Sequence, residues 1–253
     1  MPNRRALPAL LSWCLAAAAL LAPGLAGGPA AADDGWTVLA PDVKVRPLAE
    51  GVWLHRTTRG VIEANGLLAT TDEGTVLVDT GWNDEQAERL LAWAAEHLGP
   101  VRHAVATHFH EDRTGGVAAV ERHGVPVSAL EATAELARAT GRPVPGDLHP
   151  AAAGDFRVGG LVVHHPGPGH APDNVVVWVP GPRVLFGGCA VKAADATDLG
   201  YVGDADLAAW PEAVRGLLAR YADGPLVVVP GHGEPAGREA LDNTLRLALA
   251  AAP

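Results

Sequence analysis

The chain has 253 residues, of which 48% are hydrophobic, and it carries a formal net charge of −10 at pH 7. This length and apolar share are ample for the core of one large domain or of two fused halves, and therefore for a globular enzyme. The acidic balance argues against a nucleic-acid partner, because an acidic surface repels phosphate groups.

The first 32 residues are typical of a secretory signal peptide. Arginines at positions 4 and 5 precede an apolar stretch over residues 6–25, and the alanines at 30–32 form a small-residue cleavage site. A membrane anchor is the alternative, but prolines and a glycine interrupt the apolar run, and a membrane span needs about 20 predominantly apolar residues. We expect cleavage after residue 32 and export to the periplasm or out of the cell.

The mature chain, residues 33–253, is more acidic than the whole. Two of the 19 basic residues are removed with the signal, so 17 remain against 29 acidic residues and the net charge becomes −12. Cys14 is removed as well, which leaves Cys189 as a single thiol. A lone cysteine in an exported chain cannot form an internal disulfide, so Cys189 is a free, metal-bound or intermolecular thiol.

The first half of the mature chain shows strand patterns followed by a helix pattern. Residues 57–66 predict a loop whose exposed apolar residues, Val61 and Ile62, could form a flap. Asn83 or Asp84 is a suitable N-cap for a helix that ends near residue 98. The predicted strands cover residues 43–46, 51–55, 67–69, 75–78 and 101–105.

The second half repeats this order of elements without a close sequence repeat. A linker-like stretch rich in proline and glycine covers residues 142–154 and follows the midpoint of the chain. Asp204 is the predicted cap of a helix that ends near residue 221. A last helix is predicted at 234–251, and strands at 161–164, 174–179, 183–186 and 226–229. The rest of the first half is predicted to hold helices at 116–123 and 129–139 and a strand at 125–127.

These elements predict an α+β fold. Each half, about 33–141 and 142–253, runs through strands and a helix to a strand that ends in a polar loop. Two mixed sheets packed face to face, with helices on their outer faces, accommodate this order within a single domain.

One polar stretch, ATHFHEDRTGG at residues 106–116, follows the apolar run at 101–105 and carries His108, His110 and Asp112 at alternate positions. In an extended segment, side chains at alternate positions point the same way and can converge on one pocket. Two imidazoles and a carboxylate suit zinc, which then needs further ligands from elsewhere in the chain.

Three further loops after predicted strands carry residues of the same type. They are PGPGHAPDN with His170, FGGCAVK with Cys189, and PGHG with His232. A single histidine or cysteine in a loop is ordinarily structural. Together with the first stretch, however, the loops supply six ligands, enough for two zinc ions. The other seven histidines fall outside these loops and are assigned no chemistry.

The segments HFHEDRTGGV, PGPGHAPDN, VLFGGCAVK, GDADLAAWP and VVVPGHG resemble, in order and spacing, those of metallo-β-lactamases of subclass B1, and most closely the VIM type. The resemblance implies a four-layer αβ/βα sandwich with the site along one edge. It also implies two zinc ions, the first held by His108, His110 and His170. The ligands of the second zinc would then be Asp112, Cys189 and His232.

The same resemblance suggests roles for two residues beside the ligands. By this resemblance, related hydrolases of the fold have a histidine at the position of Arg113. Arg113 would instead lie beneath the metal site and orient Asp112 or Cys189 by hydrogen bonds. A surface charge is the alternative. Asp79 in VDTGW is similar to the family's buried aspartate behind the ligands, with capping of a turn or helix as the alternative.

Two further residues are implied to contact substrate. Lys192 matches the position from which the family binds the substrate carboxylate. Tyr201 is a departure, because the similar motif has Gly-Asn where this chain has Gly200 and Tyr201. The side-chain amide that would polarise the lactam carbonyl is therefore absent.

By this resemblance the protein hydrolyses the β-lactam amide bond of antibiotics with a zinc-bound hydroxide that Asp112 positions, and so confers resistance. We expect a monomer with a small-molecule substrate, no nucleic-acid partner and no membrane association after cleavage. Two alternatives remain open: another hydrolase of the same fold, acting on a thioester, lactone or phosphodiester, and a secreted zinc-binding protein without catalysis.

Overall fold

The computed structural model describes residues 35–223 and 226–253, so the predicted signal peptide lies outside the described residues. This part of the chain forms two β-sheets, and in both sheets some neighbouring strands pair parallel and others antiparallel. None of the helices in these two ranges is long and apolar enough to span a lipid bilayer.

The first sheet contains eight strands arranged in chain order. Its first five strands pair antiparallel, and the remaining neighbours pair parallel. The strands are β1 (Thr37–Ala40), β2 (Val43–Ala49), β3 (Val52–Arg59), β4 (Ile62–Thr71), β5 (Gly74–Val78), β6 (Val101–Val105), β7 (Val127–Leu130) and β8 (Asp147–His149).

The second sheet contains five strands in the order β13-β12-β11-β10-β9. Only β12 and β13 pair parallel, and the other neighbours are antiparallel. The strands are β9 (Phe156–Val158), β10 (Leu161–His164), β11 (Val176–Val179), β12 (Val184–Gly188) and β13 (Val227–Pro230).

Six α-helices accompany these strands within the described ranges, five between strands and the sixth after the last strand. The Asn83 side chain caps the first of them by accepting a hydrogen bond from the Gln86 amide, as the sequence predicts. The helices are α1 (Asp84–His97), α2 (Glu111–Thr114), α3 (Val117–Arg122), α4 (Glu131–Ala139), α5 (Trp210–Arg220) and α6 (Glu239–Ala251).

Three clusters of buried apolar side chains fill the spaces between neighbouring layers of helices and sheets. Between the sheets, residues such as Leu54 and Val105 of the first pack with Phe186 and Val229 of the second. A second cluster lies under α1 and α3 on the outer face of the first sheet. The third lies under α5 and α6 on the outer face of the second sheet. The predicted α+β sandwich, with helices outside two packed mixed sheets, is confirmed.

Several predicted boundaries are wrong. Residues 57–66 form a tight hairpin rather than a loop, because β3 and β4 pair as far as Arg59 and Ile62. The exposed tip at Val61 is therefore short. The predicted linker at 142–154 contains β8, which extends the first sheet by one parallel strand. The predicted helix at 234–251 starts only at Glu239.

Candidate metal centre

The four loops that carry the ligand candidates meet at one edge of the sandwich. His108 and His110 follow β6, Cys189 follows β12, and His232 follows β13. His170 lies between β10 and β11. Sites gather where the carboxyl ends of strands meet, since the loops there can approach one another.

The segment from His108 to Asp112 is not extended, contrary to the prediction. His110 has extended backbone angles, but helix α2 begins at Glu111, so Asp112 lies in a helical turn. The bend sends the histidines and the carboxylate to two different groups of donors. Alternate spacing therefore does not explain how these three side chains are placed.

The first group consists of three imidazoles. His110 Nδ1 lies 3.1 Å from His108 Nε2 and 3.1 Å from His170 Nε2. Zn–N bonds of about 2.0–2.1 Å would separate two nitrogens of a tetrahedral site by about 3.3 Å, so the spacing fits one zinc. Burial lowers the pKa of His108 to about 4, which keeps the imidazole in the neutral form that binds metal.

A carboxylate fixes the tautomer of His110. His110 Nε2 lies 2.9 Å from Asp204 Oδ2, and an ionised carboxylate can only accept a hydrogen bond. Nε2 therefore carries the proton, and the lone pair of Nδ1 faces His108 and His170. This arrangement is the one expected of a metal-binding histidine.

The second group consists of Asp112, Cys189 and His232. Cys189 Sγ lies 3.3 Å from His232 Nε2 and 3.8 Å from Asp112 Oδ2. His232 Nδ1 lies 2.6 Å from the Glu63 carbonyl oxygen and must donate to it, so Nε2 is the ring nitrogen that faces the thiol. Imidazole, thiolate and carboxylate together form a donor set that suits zinc.

Arg113 lies beneath the second group and is fully buried. Its Nη2 is 2.8 Å from Asp112 Oδ2 and 3.0 Å from Cys189 Sγ. Burial by itself would raise the pKa of the Cys189 thiol, but Arg113 and His232 together lower it well below its ordinary value. The structure therefore places Arg113 beneath the side chains of the second group and not at the surface.

Asp79 supports the ligand loop from behind. It accepts hydrogen bonds from the Thr107 amide at 2.8 Å, the Thr107 hydroxyl at 3.0 Å and Arg113 Nη1 at 3.0 Å. Its φ of 62° is in the left-handed region, which is uncommon for a residue other than glycine. Burial raises its pKa to about 7 against the opposing effects of Arg113 and Thr107. Capping of α1 falls to Asn83 instead.

Lys192 and Tyr201 contact different residues. Lys192 Nζ lies 5.3 Å from the centre of the Trp210 ring, and burial lowers its pKa. Tyr201 is 63% exposed, and its ring centre lies 5.7 Å from that of His110. Its hydroxyl donates to Asp204 Oδ2 at 3.2 Å.

The sequence reasoning missed Asp204 as a partner of His110 and assigned it to a helix cap. Helix α5 begins later, at Trp210, and Asp206 accepts from the amides ahead of it. A carboxylate partner is expected for a metal-binding histidine, but sequence spacing does not say which carboxylate folds against it.

Both donor groups open into a cleft of about 390 Å³. Ile62 of the β3–β4 hairpin and Trp82, which lies between β5 and α1, provide apolar lining. A cleft of this size is in the range of small-molecule sites. Its other lining residues are His110, Glu111, Asp112, Arg142, His170, Cys189, Tyr201 and His232.

Comparison with known proteins points to one family. The model of the metallo-beta-lactamase superfamily matches residues 59–232. A metallo-beta-lactamase type 2 from Bacillus cereus is 37% identical over 214 residues, covering 81% of this chain and 82% of the relative.

Solved structures agree with this match. A metallo-beta-lactamase from Pontibacter korlensis has 43% identity and a TM-score of 0.76, covering 82% of this chain and 99% of its own. The mono-zinc form of the metallo-beta-lactamase FIM-1 from Pseudomonas aeruginosa has 35% identity and a TM-score of 0.79. The match covers 85% of this chain and 100% of the FIM-1 chain.

Proposed function

The chain belongs to the metallo-beta-lactamase superfamily, and from this membership we propose that it is a zinc-dependent hydrolase of the β-lactam amide bond. Hydrolysis opens the lactam ring and so confers resistance to β-lactam antibiotics. We assign it to subclass B1, near the VIM type, with two zinc ions. Cys189 in the second donor group and Arg113 directly after Asp112 support this finer assignment.

One observation carries the proposal: two groups of three metal-binding side chains lie side by side and open into one cleft. His108, His110 and His170 would hold the first zinc. Asp112, Cys189 and His232 would hold the second. Bound zinc supplies an acidified water and a Lewis acid that polarises the lactam carbonyl.

The surrounding side chains prepare the site for this chemistry. Arg113 compensates the charges of Asp112 and Cys189, which would otherwise be costly to bury. Asp112 would orient the attacking water by accepting a hydrogen bond from it. Because these groups are held by buried contacts, little reorganisation is needed during the reaction.

Lys192 would bind the carboxylate of the substrate. Among the described residues, no carboxylate lies within ion-pair distance of its ammonium group, which instead lies over the Trp210 ring. An unpaired cation beside the site can fix a carboxylated substrate in a productive orientation.

Tyr201 is proposed to shape the cleft and not to polarise the carbonyl. Its hydroxyl hydrogen is directed to Asp204, and it stands where the resemblance leads one to expect an asparagine. Tyr201 would then donate no hydrogen bond to the carbonyl oxygen, and a bound metal would supply the stabilisation of the charge that develops there.

The two alternatives have less support. A zinc-storage protein does not need a cleft of about 390 Å³ next to its ligands. A hydrolase of thioesters, lactones or phosphodiesters would share the fold, but the relatives reported above are named for β-lactams.

We further propose that residues 1–32 are a cleaved signal peptide and that the mature protein acts as a monomer in the periplasm or outside the cell. The basic residues, apolar run and alanine-rich end of this segment support export. The relatives act on small molecules, and the acidic surface disfavours nucleic acid.

The test is hydrolysis of one penicillin, one cephalosporin and one carbapenem by purified protein, with and without a chelator. We expect ring opening that the chelator abolishes and added zinc restores. Metal analysis should give two zinc ions per chain for wild type and fewer than two for Cys189→Ser. No ring opening by zinc-loaded wild type would refute the proposal, and undiminished zinc and turnover in Cys189→Ser would refute the role of Cys189.

A further inference from the structure

Arg142 lies on the wall of the cleft, directly after the turn that ends α4. Its backbone amide donates to the Ala137 carbonyl oxygen at 2.8 Å, which anchors this turn to the helix. Gly141, with φ of 69°, allows the chain to turn there. The Arg142 side chain is partly exposed and contributes to the cleft lining.

The guanidinium group of Arg142 is held in place without an ion pair. Its carbon lies 5.0 Å from the centre of the Phe109 ring, and Nη1 donates to the Thr140 hydroxyl at 2.7 Å. Within the ranges that the structure describes, no carboxylate lies within 4.0 Å of its nitrogens. An arginine has five N–H donors, so most of them remain available to a ligand.

Two other cations near the cleft differ from Arg142, one because it forms an ion pair and the other because it has different neighbours. Arg59 is paired with Glu111, which lines the cleft. Lys192 interacts with Cys189 and Asp112 of the second donor group, whereas the charge of Arg142 acts on Tyr201 and Asp204. Two cations that have no ion pair and have different neighbours can bind two separate anionic groups of one ligand.

We propose that Arg142 binds an anionic substituent on the side chain of the substrate, so that the protein prefers β-lactams carrying a second negative charge. This inference deepens the proposed function and depends on it. Lys192 would bind the carboxylate of the ring system, and Arg142 a carboxylate or sulfonate on the acylamino side chain. In a chain of net charge −10, such a cation offsets the repulsion that a dianionic substrate otherwise meets.

The expected preference is modest and sensitive to salt. Guanidinium–carboxylate hydrogen bonds are strong and often bidentate, but solvent and ions screen a partly exposed pair. We expect loss of the Arg142 charge to weaken binding of a dianionic substrate by about three- to tenfold. A neutral side chain should be unaffected.

Benzylpenicillin and carbenicillin test this directly, because they differ by one carboxylate on the side chain. Their kcat/KM and KM values are compared for wild type, Arg142→Gln and Arg142→Lys at low and high salt. Arg138→Gln is the matched control, because Arg138 is exposed in the last turn of α4, four residues before Arg142, and its loss changes the net charge equally.

Support would be a three- to tenfold rise in KM for carbenicillin in Arg142→Gln, with benzylpenicillin unchanged. Arg142→Lys should be intermediate, Arg138→Gln should match wild type, and high salt should remove the difference. Equal losses for both penicillins, or no loss for either, would overturn the inference.

Failure of the proposed function would look different. If the zinc-loaded wild type hydrolyses neither penicillin, the function fails, and both compounds can then be titrated without being consumed. Fluorescence of the tryptophans, which include Trp82 in the cleft wall, reports their affinities. Equal affinities of wild type and Arg142→Gln for carbenicillin would then refute the role of Arg142 as well.

Discussion

Arg113 Nη2 lies 3.0 Å from Cys189 Sγ, and both side chains are buried. The same guanidinium group pairs with Asp79 and Asp112. One cation thus compensates two carboxylates and a thiol whose pKa is well below its ordinary value. The second donor group can bind metal through charged atoms because this counter-charge is built into the fold.

Removal of Arg113 should destabilise the protein. We expect Arg113→Met to lose about 3–5 kcal/mol of unfolding free energy, because the buried acids lose their partner. Urea denaturation of the zinc-loaded protein measures this loss. Arg113→Lys keeps the charge but not the planar fork and should lie between the two. Wild-type stability in Arg113→Met would contradict the role of Arg113 as counter-charge.

Asp204 should control zinc affinity at the three-histidine group. Asp204→Ala removes the acceptor of the His110 Nε2 proton, and loss of such a partner typically weakens metal binding about 10- to 100-fold. Chelator competition measures the affinity. Asp204→Asn is the control, since its amide oxygen can still accept the hydrogen bond from His110 Nε2. Equal affinity in Asp204→Ala and wild type would show that the contact does not orient His110.

Lys192 should act through substrate binding. In Lys192→Ala, we expect KM for carboxylated β-lactams to rise about tenfold, with a smaller change in kcat, because a charge-assisted hydrogen bond is lost. Steady-state kinetics separate the two constants. Lys192→Arg keeps the charge and should recover part of the effect. An unchanged KM in Lys192→Ala would assign the carboxylate to another group.

His55 should make the stability depend on pH. Its Nε2 donates to the Val78 carbonyl oxygen at 3.1 Å, and burial lowers its pKa from 6.5 to about 4. The unfolded chain therefore takes up this proton at a higher pH than the folded chain. The stabilisation is fully present above pH 6.5 and is lost as the pH falls towards 4, by about 2 kcal/mol between pH 7.5 and 5.

His55→Gln isolates this effect, because a glutamine amide can donate to Val78 but does not titrate. Urea denaturation of both proteins at equal zinc concentration gives the stability difference at each pH. We expect any advantage of wild type at pH 7.5 to shrink by about 2 kcal/mol at pH 5. The same difference at both pH values would mean that His55 does not carry the proton uptake.

The sequence determined the layers of the fold through periodicity. Apolar residues at helical spacing in α1 and α5, and apolar runs such as Val101–Val105, depend on local backbone geometry alone. The strand ends could be approximated for the same reason. The strand β8 could not be predicted, because a short strand in a proline- and glycine-rich segment forms only when a neighbouring strand pairs with it.

The six ligand candidates were identifiable from residue type and from their place after strands. Their division into two groups was not, since it depends on the helical turn that begins at Glu111 and breaks the alternate spacing. The contacts made by the residues behind the candidate ligands also depend on the tertiary structure. Asp204 reaches His110 across 94 positions, and Arg113 reaches Cys189 across 76. Contacts between residues so far apart in the chain follow from the packing of whole elements, which no local pattern encodes.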